Sequence, residues 1–472
     1  MRQLFVDPAN EGQYYETSEV DAAGAADAVG YLNGRTGPEM SVTEVAKDAS
    51  TAQSRRLWRL FVASLFGVSV VAGVWAWWTD HRYKSAMEEI ESDILAKRYA
   101  IACRNLEKLL SWKTDSTGGI TYLLGSCELA RGRNQPASEI WAKVVPGSGF
   151  SERAIRGRMR LLHESGQLAA AEQLLNDAAR DPRNDRTALL VLLVPMYSDL
   201  GRIDEAERLI EDRWEHLNQK GEGALEPAVK LVRQHIELSL KSTPVETVRA
   251  FLDQSAKLAP DDDRVWLGRA NLAIRTEAYA EAKRWLDACQ RRRPEDVPAW
   301  RARLSWGMAT NRTDVVQQAV THLPAEESNK ARLHRANAWL ARQRGDDTQE
   351  RRELELLVGA DPAAVNGLDR LAELAEKEDQ PEQAAHFRSK KADIDRLRAH
   401  YLNRHDRKQP IRDAVGLAHV AELLGRRFEA RVFLSIAISE DPGRADLRKD
   451  LERLNATDIS DTRVEAGSAT TQ

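Results

Sequence analysis

Residues 261–296 read DDDRVWLGRANLAIRTEAYAEAKRWLDACQRRRPED, and two short amphipathic helices fit them. Trp266 opens the first helix and Ala270 is its small packing residue; Ala282, Leu286 and Cys289 line the second. Small side chains let antiparallel helices approach closely. Pro294 ends the second helix because it has no N–H to give to the ladder. The same spacing returns outside this stretch. Trp300 follows Trp266 by 34 residues, Pro294 follows Pro260 by 34, and Pro362 stands two further periods on. Ala384 lies 102 residues after Ala282, three periods of 34. Self-similarity at a fixed period of this length marks a stack of helical hairpins, each burying its apolar face against its neighbours.

Other stretches repeat the pattern. YLLGSCELARGRNQPASEIWAKVVP carries Leu124, Gly125, Ala137 and Trp141; GQLAAAEQLLNDAARDP carries Gly166, Ala171 and Pro182. YSDLGRIDEAERLIEDRW carries Tyr197, Gly201 and Ala206, and LLGRRFEARVFLSIAISEDP carries Gly425, Ala430, Ala437 and Pro442. Aligned, these give about ten units, with the small position of the second helix at Ala102, Ala137, Ala171, Ala206, Val248, Ala282, Val316, Glu350, Ala384 and Ala430. Val248, Val316 and Glu350 lack the small residue and are placed by spacing alone. The interval stretches to 42 residues before Val248 and to 46 before Ala430. KKADIDRLRAHYLNRHDRKQP, inside the second interval, reads as an extended helix. The pattern resembles the tetratricopeptide repeat (TPR) over residues 85–454. The resemblance implies an all-α, right-handed α-solenoid of TPR-like hairpins. The last two units and the IDRLRAHY stretch resemble membrane-anchored repeat proteins of planctomycete-type bacteria.

Composition agrees. Of 472 residues, 30% are charged and 6% aromatic, and the net charge is −4 with both signs interspersed. Long solvated helices suit that balance, and no global field points to nucleic acid. The first 54 residues hold nine acidic side chains against Arg2, Arg35 and Lys47, with Phe5, Tyr14, Tyr15 and Tyr31 as isolated aromatics. They read as an acidic disordered tail, and 455–472 as a disordered polar tail.

From Leu60 to Thr79 there are twenty uncharged residues, LFVASLFGVSVVAGVWAWWT, long enough for a hydrocarbon core of about 30 Å. Trp58 precedes the run, and Trp75, Trp77 and Trp78 lie at its end. The expectation is one transmembrane signal anchor over 55–80, touching the membrane through 60–79. Arg55, Arg56 and Arg59 outnumber Arg82 and Lys84 in the flanks. The positive-inside rule then gives a single-pass protein with a cytoplasmic N-terminus and an extracytoplasmic or periplasmic repeat domain.

Motifs for chemistry are missing from the sequence. There is no phosphate loop, dinucleotide fingerprint, H-E-x-x-H or G-x-S-x-G. His400 and His405 fall on different faces of a helix, as surface residues. Cys103, Cys127 and Cys289 form no C-x-x-C pair, although Cys103 and Cys127 fall on neighbouring helices. No catalytic residue, metal, cofactor, nucleic acid or small-molecule substrate is expected.

In this repeat class the inner face of the first helix of each unit lines a groove for a partner segment. Spacing from Trp266 places Arg264, Leu267, Asn271 and Arg275 there, then Arg301, Ser305 and Met308, then Arg332, Arg335, Trp339 and Arg342. Guanidinium groups forking onto carboxylates would suit a protein partner with an acidic segment. Asn271 fits the carboxylate clamp of chaperone-binding repeats, but Leu267 and Ala302 stand where its lysine and second asparagine belong. The functional expectation is a membrane-tethered interaction scaffold or adaptor. The alternative is an accessory structural subunit of a larger membrane or secretion-associated complex.

Overall fold

In nine of the ten units the second helix begins after a turn built the same way; the helix that carries Val248 follows Pro244 instead. Lys97, Gly132, Gly166, Gly201, Glu277, Asn311, Gly345, Asp379 and Gly425 adopt left-handed backbone, with φ between 55° and 75°. Each stands two residues before its helix. The next residue's N–H reaches back five positions, as from Arg133 to the Glu128 carbonyl (3.0 Å) and from Arg426 to that of Ala421 (2.8 Å). This Schellman closure satisfies carbonyls that a helix end leaves orphaned. Glycine is indispensable at 166, where a Cβ would stand 2.7 Å from the Ser255 carbonyl oxygen.

The computed structural model describes residues 73–75, 77–219, 225–240, 243–324 and 330–468. The chain forms two units, Met1–Asp80 and His81–Gln472. Of the first, 73–75 and 77–80 are described, and they are helical. In the second, residues 81–95 (α1) pair with Tyr99–Trp112 (α2), Gly119–Ala130 (α3) with Asn134–Trp141 (α4), and Ser151–Glu164 (α5) with Leu168–Arg180 (α6). Arg186–Leu190 (α7), a 3-10 turn and Val194–Asp199 (α8) lead to Ile203–Gln219 (α9), then Leu225–Leu240 (α10) and Val245–Leu258 (α11). Asp263–Arg275 (α12) pairs with Tyr279–Arg292 (α13), Val297–Ala309 (α14) with Thr313–His322 (α15), and Lys330–Arg344 (α16) with Asp347–Ala360 (α17). Val365–Lys377 (α18) pairs with Pro381–Asp406 (α19) and Ala414–Leu423 (α20) with Arg427–Glu440 (α21), before Ala445–Ser468 (α22). Among the described residues there is no strand. The fold is an all-α, TPR-like array.

The small positions expected from spacing are the fourth residues of α2, α4, α6, α9, α11, α13, α15, α17, α19 and α21, and all are buried. Even Glu350, placed by spacing alone, is only 2% exposed. It is held there by Arg370, whose guanidinium takes both carboxylate oxygens at 2.7 and 2.9 Å. The extended helix expected before Ala430 is α19, 26 residues long.

The array departs from a simple stack at the 42-residue interval. There α10 and α11 separate. α10 packs on α9 and on the distant α21, whereas α11 packs on α12. Phe251 of α11 stacks on His163 at 5.1 Å, and Ala169 N–H donates to Asp262 at 2.9 Å, so α11 and α12 return to the α5–α6 hairpin. The largest apolar cluster records the result. It contains residues from Leu168 to Val265 and from Ala338 to Leu454, while two separate clusters cover most of the stretch between them. The second half of the array thus curls back onto the middle of the chain.

Two expectations need correction or relocation. The single-pass membrane localisation is overturned: among the described residues no helix is long and apolar enough to cross a membrane. The long helices α19 and α22 carry charges throughout, in keeping with solvated rather than lipid-facing surfaces. The stretch that carried the expectation, 60–79, lies outside the described residues except for 73–75 and 77–79, as does its flank 55–59. The acidic stretch 1–54 also lies outside them. At the other end α22 continues to Ser468, past the boundary expected at 454.

Candidate protein-binding site

α12 starts where the Asp262 carboxylate accepts the N–H groups of Arg264 and Val265, an N-cap that fixes which side chains face inward. On that inward stripe Gly268 leaves room for Leu200; a Cβ there would come within 2.7 Å of it. Asn271 donates to the Leu200 carbonyl at 2.7 Å. The inner face of α12 is therefore laid against the turn between α8 and α9. α14 and α16 follow in the stack and meet α9. Arg301 pairs with Glu205 of α9 at 2.6 Å, and Arg332 pairs with Asp204.

Behind these contacts lies a buried charge network. Glu172 of α6 accepts Arg202 and the Tyr197 hydroxyl, both at 2.7 Å, and also Arg264. Arg264 in turn grips Asp296 through both carboxylate oxygens, at 2.8 and 2.9 Å. Burial alone would raise the Glu172 carboxyl, but Arg202, Arg264 and the Tyr197 hydroxyl outweigh it and bring it down to about 2. The carboxylate stays charged and holds two arginines from distant parts of the chain.

The expected groove residues consequently divide. Arg264 is buried and committed to Glu172 and Asp296, so it faces no outside ligand. Leu267 is core. Asn271 closes the end of α8, and Arg301 and Arg332 hold α9. Arg275, Arg335 and Arg342 are exposed, and among the described residues no carboxylate pairs with them. Ser305 is exposed, and Met308 and Trp339 are half-buried beside Trp300 and Leu304. The chain's own acidic helix fills the part of the inner face nearest the starts of α12, α14 and α16. Near their ends Arg275, Ser305, Arg335 and Arg342 are exposed among the described residues.

A second network closes the curl. Glu429 of α21, fully buried, accepts Tyr401 and Arg426 and shares a 2.9 Å hydrogen bond with His235 of α10. Burial opposes a charge on His235, yet the Glu211 carboxylate 3.4 Å from Nε2 and the hydrogen-bonded Glu429 raise it to about 9. Arg426 also reaches Ser239 at 2.8 Å, and Arg431 reaches Glu215 at 3.4 Å. Sequence reasoning missed Glu172, Arg202, Asp204, Glu205, Asp296, His235, Tyr401 and Glu429. The one available signal was the 42-residue interval, which marks where α10 leaves the stack.

The three cysteines are free and buried. Burial pushes Cys103 up to about 11 and Cys127 and Cys289 up to about 12, away from nucleophilic thiolates. Among the described residues no group of three or more His, Cys, Asp or Glu is placed to hold a metal ion.

The geometry defines the class: a TPR-like helical array whose second half is closed around one of its own helices. No protein-family model and no curated protein matches the sequence. Among solved structures, the Cut9–Hcn1 hetero-tetramer of the APC/C is similar at 12% identity and a TM-score of 0.30, over 78% of this chain and 89% of that one. Yeast Tom70 is similar at 12% identity and 0.26, over 83% of this chain and 100% of that one. A tetratricopeptide repeat protein from Parabacteroides merdae is similar at 12% identity and 0.24, over 57% of this chain and 99% of that one. The fold assignment rests on the chain's own hairpins.

Proposed function

We propose that the chain is a protein-interaction scaffold, not an enzyme, and that a partner with an acidic segment binds the exposed part of the inner face. The observation that carries this is that Arg275 of α12 and Arg335 and Arg342 of α16 are exposed with no carboxylate pairing among the described residues, while Trp339 and Met308 stand half-buried on one apolar cluster between α14 and α16. Arginines flanking an aromatic anchor are the side chains that dominate protein interfaces. Cross-linking followed by identification of co-purifying proteins supplies the partner. With that partner, Arg275→Glu combined with Arg342→Glu should reduce recovery by about tenfold or more, and Trp339→Ala should reduce it independently. Helicity by circular dichroism should not change. Unaltered recovery with both variants would sink the reading.

The self-filled part of the inner face favours a second reading, an accessory subunit docked through its outer surfaces. A short acidic peptide from the partner separates the two. It binds a scaffold by itself, whereas a subunit requires the folded partner.

A further inference from the structure

The last hairpin presents an inner face that is exposed among the described residues. Arg412, Val415, His419 and Leu423 stand 18, 15, 11 and 7 residues before Ala430, as Arg264, Leu267, Asn271 and Arg275 stand before Ala282. On α12 the corresponding face meets the turn between α8 and α9. On α20 it meets solvent: Val415 is 41% exposed, Leu423 49%, and Ile411, one turn before Val415, 40%. His419 between them is exposed too. Val415, His419 and Leu423 recur every four residues along α20 and form one stripe, and Ile411 stands exposed in the turn just before the helix. An apolar stripe of this kind, rimmed by polar groups, marks an interaction surface.

Cations outnumber acids on the rim, where Asp406 and Asp413 also stand. The end of α19 and the turn into α20 supply Arg404, Arg407, Lys408 and Arg412. The Arg404 guanidinium lies over Gly416 of α20, where any Cβ would collide with it, and donates to His400 at 2.8 Å. Arg407, Lys408 and Arg412 are exposed, and no ion pair with a carboxylate is present for them among the described residues. The molecule itself shows what such a face accepts. Where inner-face arginines are satisfied, on α14 and α16, their counterpart is the acidic amphipathic helix α9, through Glu205 and Asp204.

We infer that α20 with the α19–α20 turn is a second docking surface, for an acidic amphipathic helix of a partner protein. The partner's apolar stripe lies along Ile411, Val415 and Leu423, and its carboxylates meet Arg404, Arg407, Lys408 and Arg412. This surface is separate from the exposed arginines on α12 and α16, so each stands or falls alone.

The test uses the full chain and a labelled peptide copying residues 203–219, IDEAERLIEDRWEHLNQ, followed by fluorescence anisotropy. Saturable binding is expected, weakening with salt as the Debye length falls below about 10 Å. Val415→Asp with Leu423→Asp should raise Kd by about tenfold or more, as should Lys408→Glu with Arg412→Glu. All four positions are exposed, so circular dichroism should match the parent chain. Arg275→Glu with Arg342→Glu should leave Kd unchanged. The inference is overturned by an absence of saturable binding, or by a Kd indifferent to both α20 variants. It is also overturned if the peptide is lost only with the Arg275 and Arg342 reversals, or if it binds equally with its carboxylates replaced by amides. Sedimentation with phosphatidylserine vesicles that the α20 variants abolish, in a chain that ignores the peptide, would replace a protein partner by a lipid surface.

Discussion

The first two hairpins and the closed block beyond α6 are built from the same unit but held together differently. Around α1–α4 the apolar side chains form local clusters: Ile90, Leu106 and Cys127 belong to one, and Ala137, Trp141 and Leu161 to the next. Among the described residues these clusters join adjacent hairpins, so their stability is nearly a sum of adjacent terms. From α6 onward one cluster joins residues far apart in sequence, and buried ion pairs bridge α6 to α12 and α10 to α21. There the loss of one contact releases many. Cooperativity in this chain follows from closure rather than from the repeat.

The sharpest way to break this contrast is at Glu429. Glu429→Ala leaves His235 and Arg426 without their buried carboxylate, a change that typically costs about 3–5 kcal/mol. Hydrogen exchange should accelerate in α10 and α21 and stay as it was in α3 and α4. Equal acceleration in both regions would mean that the two halves unfold together.

A smaller effect should come from pH. His235 is raised in the folded chain from 6.5 to about 9, so the stability it lends is complete below about pH 6.5 and lost as pH rises through about 9. Glu429 is shifted the opposite way; its contribution is present above 4.5 and lost on acidification below that value. The thermal midpoint of the closed block should therefore drop between about pH 6.5 and 9, and His235→Gln should flatten that drop. A slope unchanged by His235→Gln would remove the histidine from the closure.

The smallest effect is expected where a recurring bridge has lost its partner. Arg269 pairs with Asp253 and Arg303 with Asp287, each tying one hairpin to the helix before it, at 2.7 and 2.6 Å. Arg158 holds the equivalent place before Ala171, but Ala142 stands where the aspartate belongs. Its Nε is buried without a hydrogen bond, and burial lowers its pKa. Arg158→Leu should leave the midpoint unchanged or slightly higher, within about 0.5 kcal/mol, whereas Arg303→Leu should lower it. Equal losses at the two positions would show that the bridge contributes nothing between hairpins.

The hairpins themselves were legible because a small residue at one position of every second helix is a local requirement, repeated at a period the eye can follow. Glycines at 132, 166, 201 and 425 announced their turns; Lys97, Glu277 and Asp379 adopt the same left-handed conformation without any such sign. The closure was not legible. Arg301 and Glu205 are 96 residues apart and His235 and Glu429 are 194 apart, and in a chain with 30% charged residues every arginine has many candidate carboxylates. Spacing assigned the arginines to an inner face, but could not say that Arg301 and Arg332 pair with the chain's own α9.

The contact between α10 and α21 also sets how this protein responds to force. An open stack of hairpins stretches like a spring, because tension merely widens the angle between neighbours. Here a pull on residues 81 and 468 meets two materials in series. The hairpins α1–α4 extend first, at low tension, through flexing between units. The block beyond α6 cannot lengthen until α21 is torn from α10, with Phe428 against His235 at 4.6 Å and Glu429 beside it. It should bear load as a stiff element that yields in one step, at the end of a compliant one.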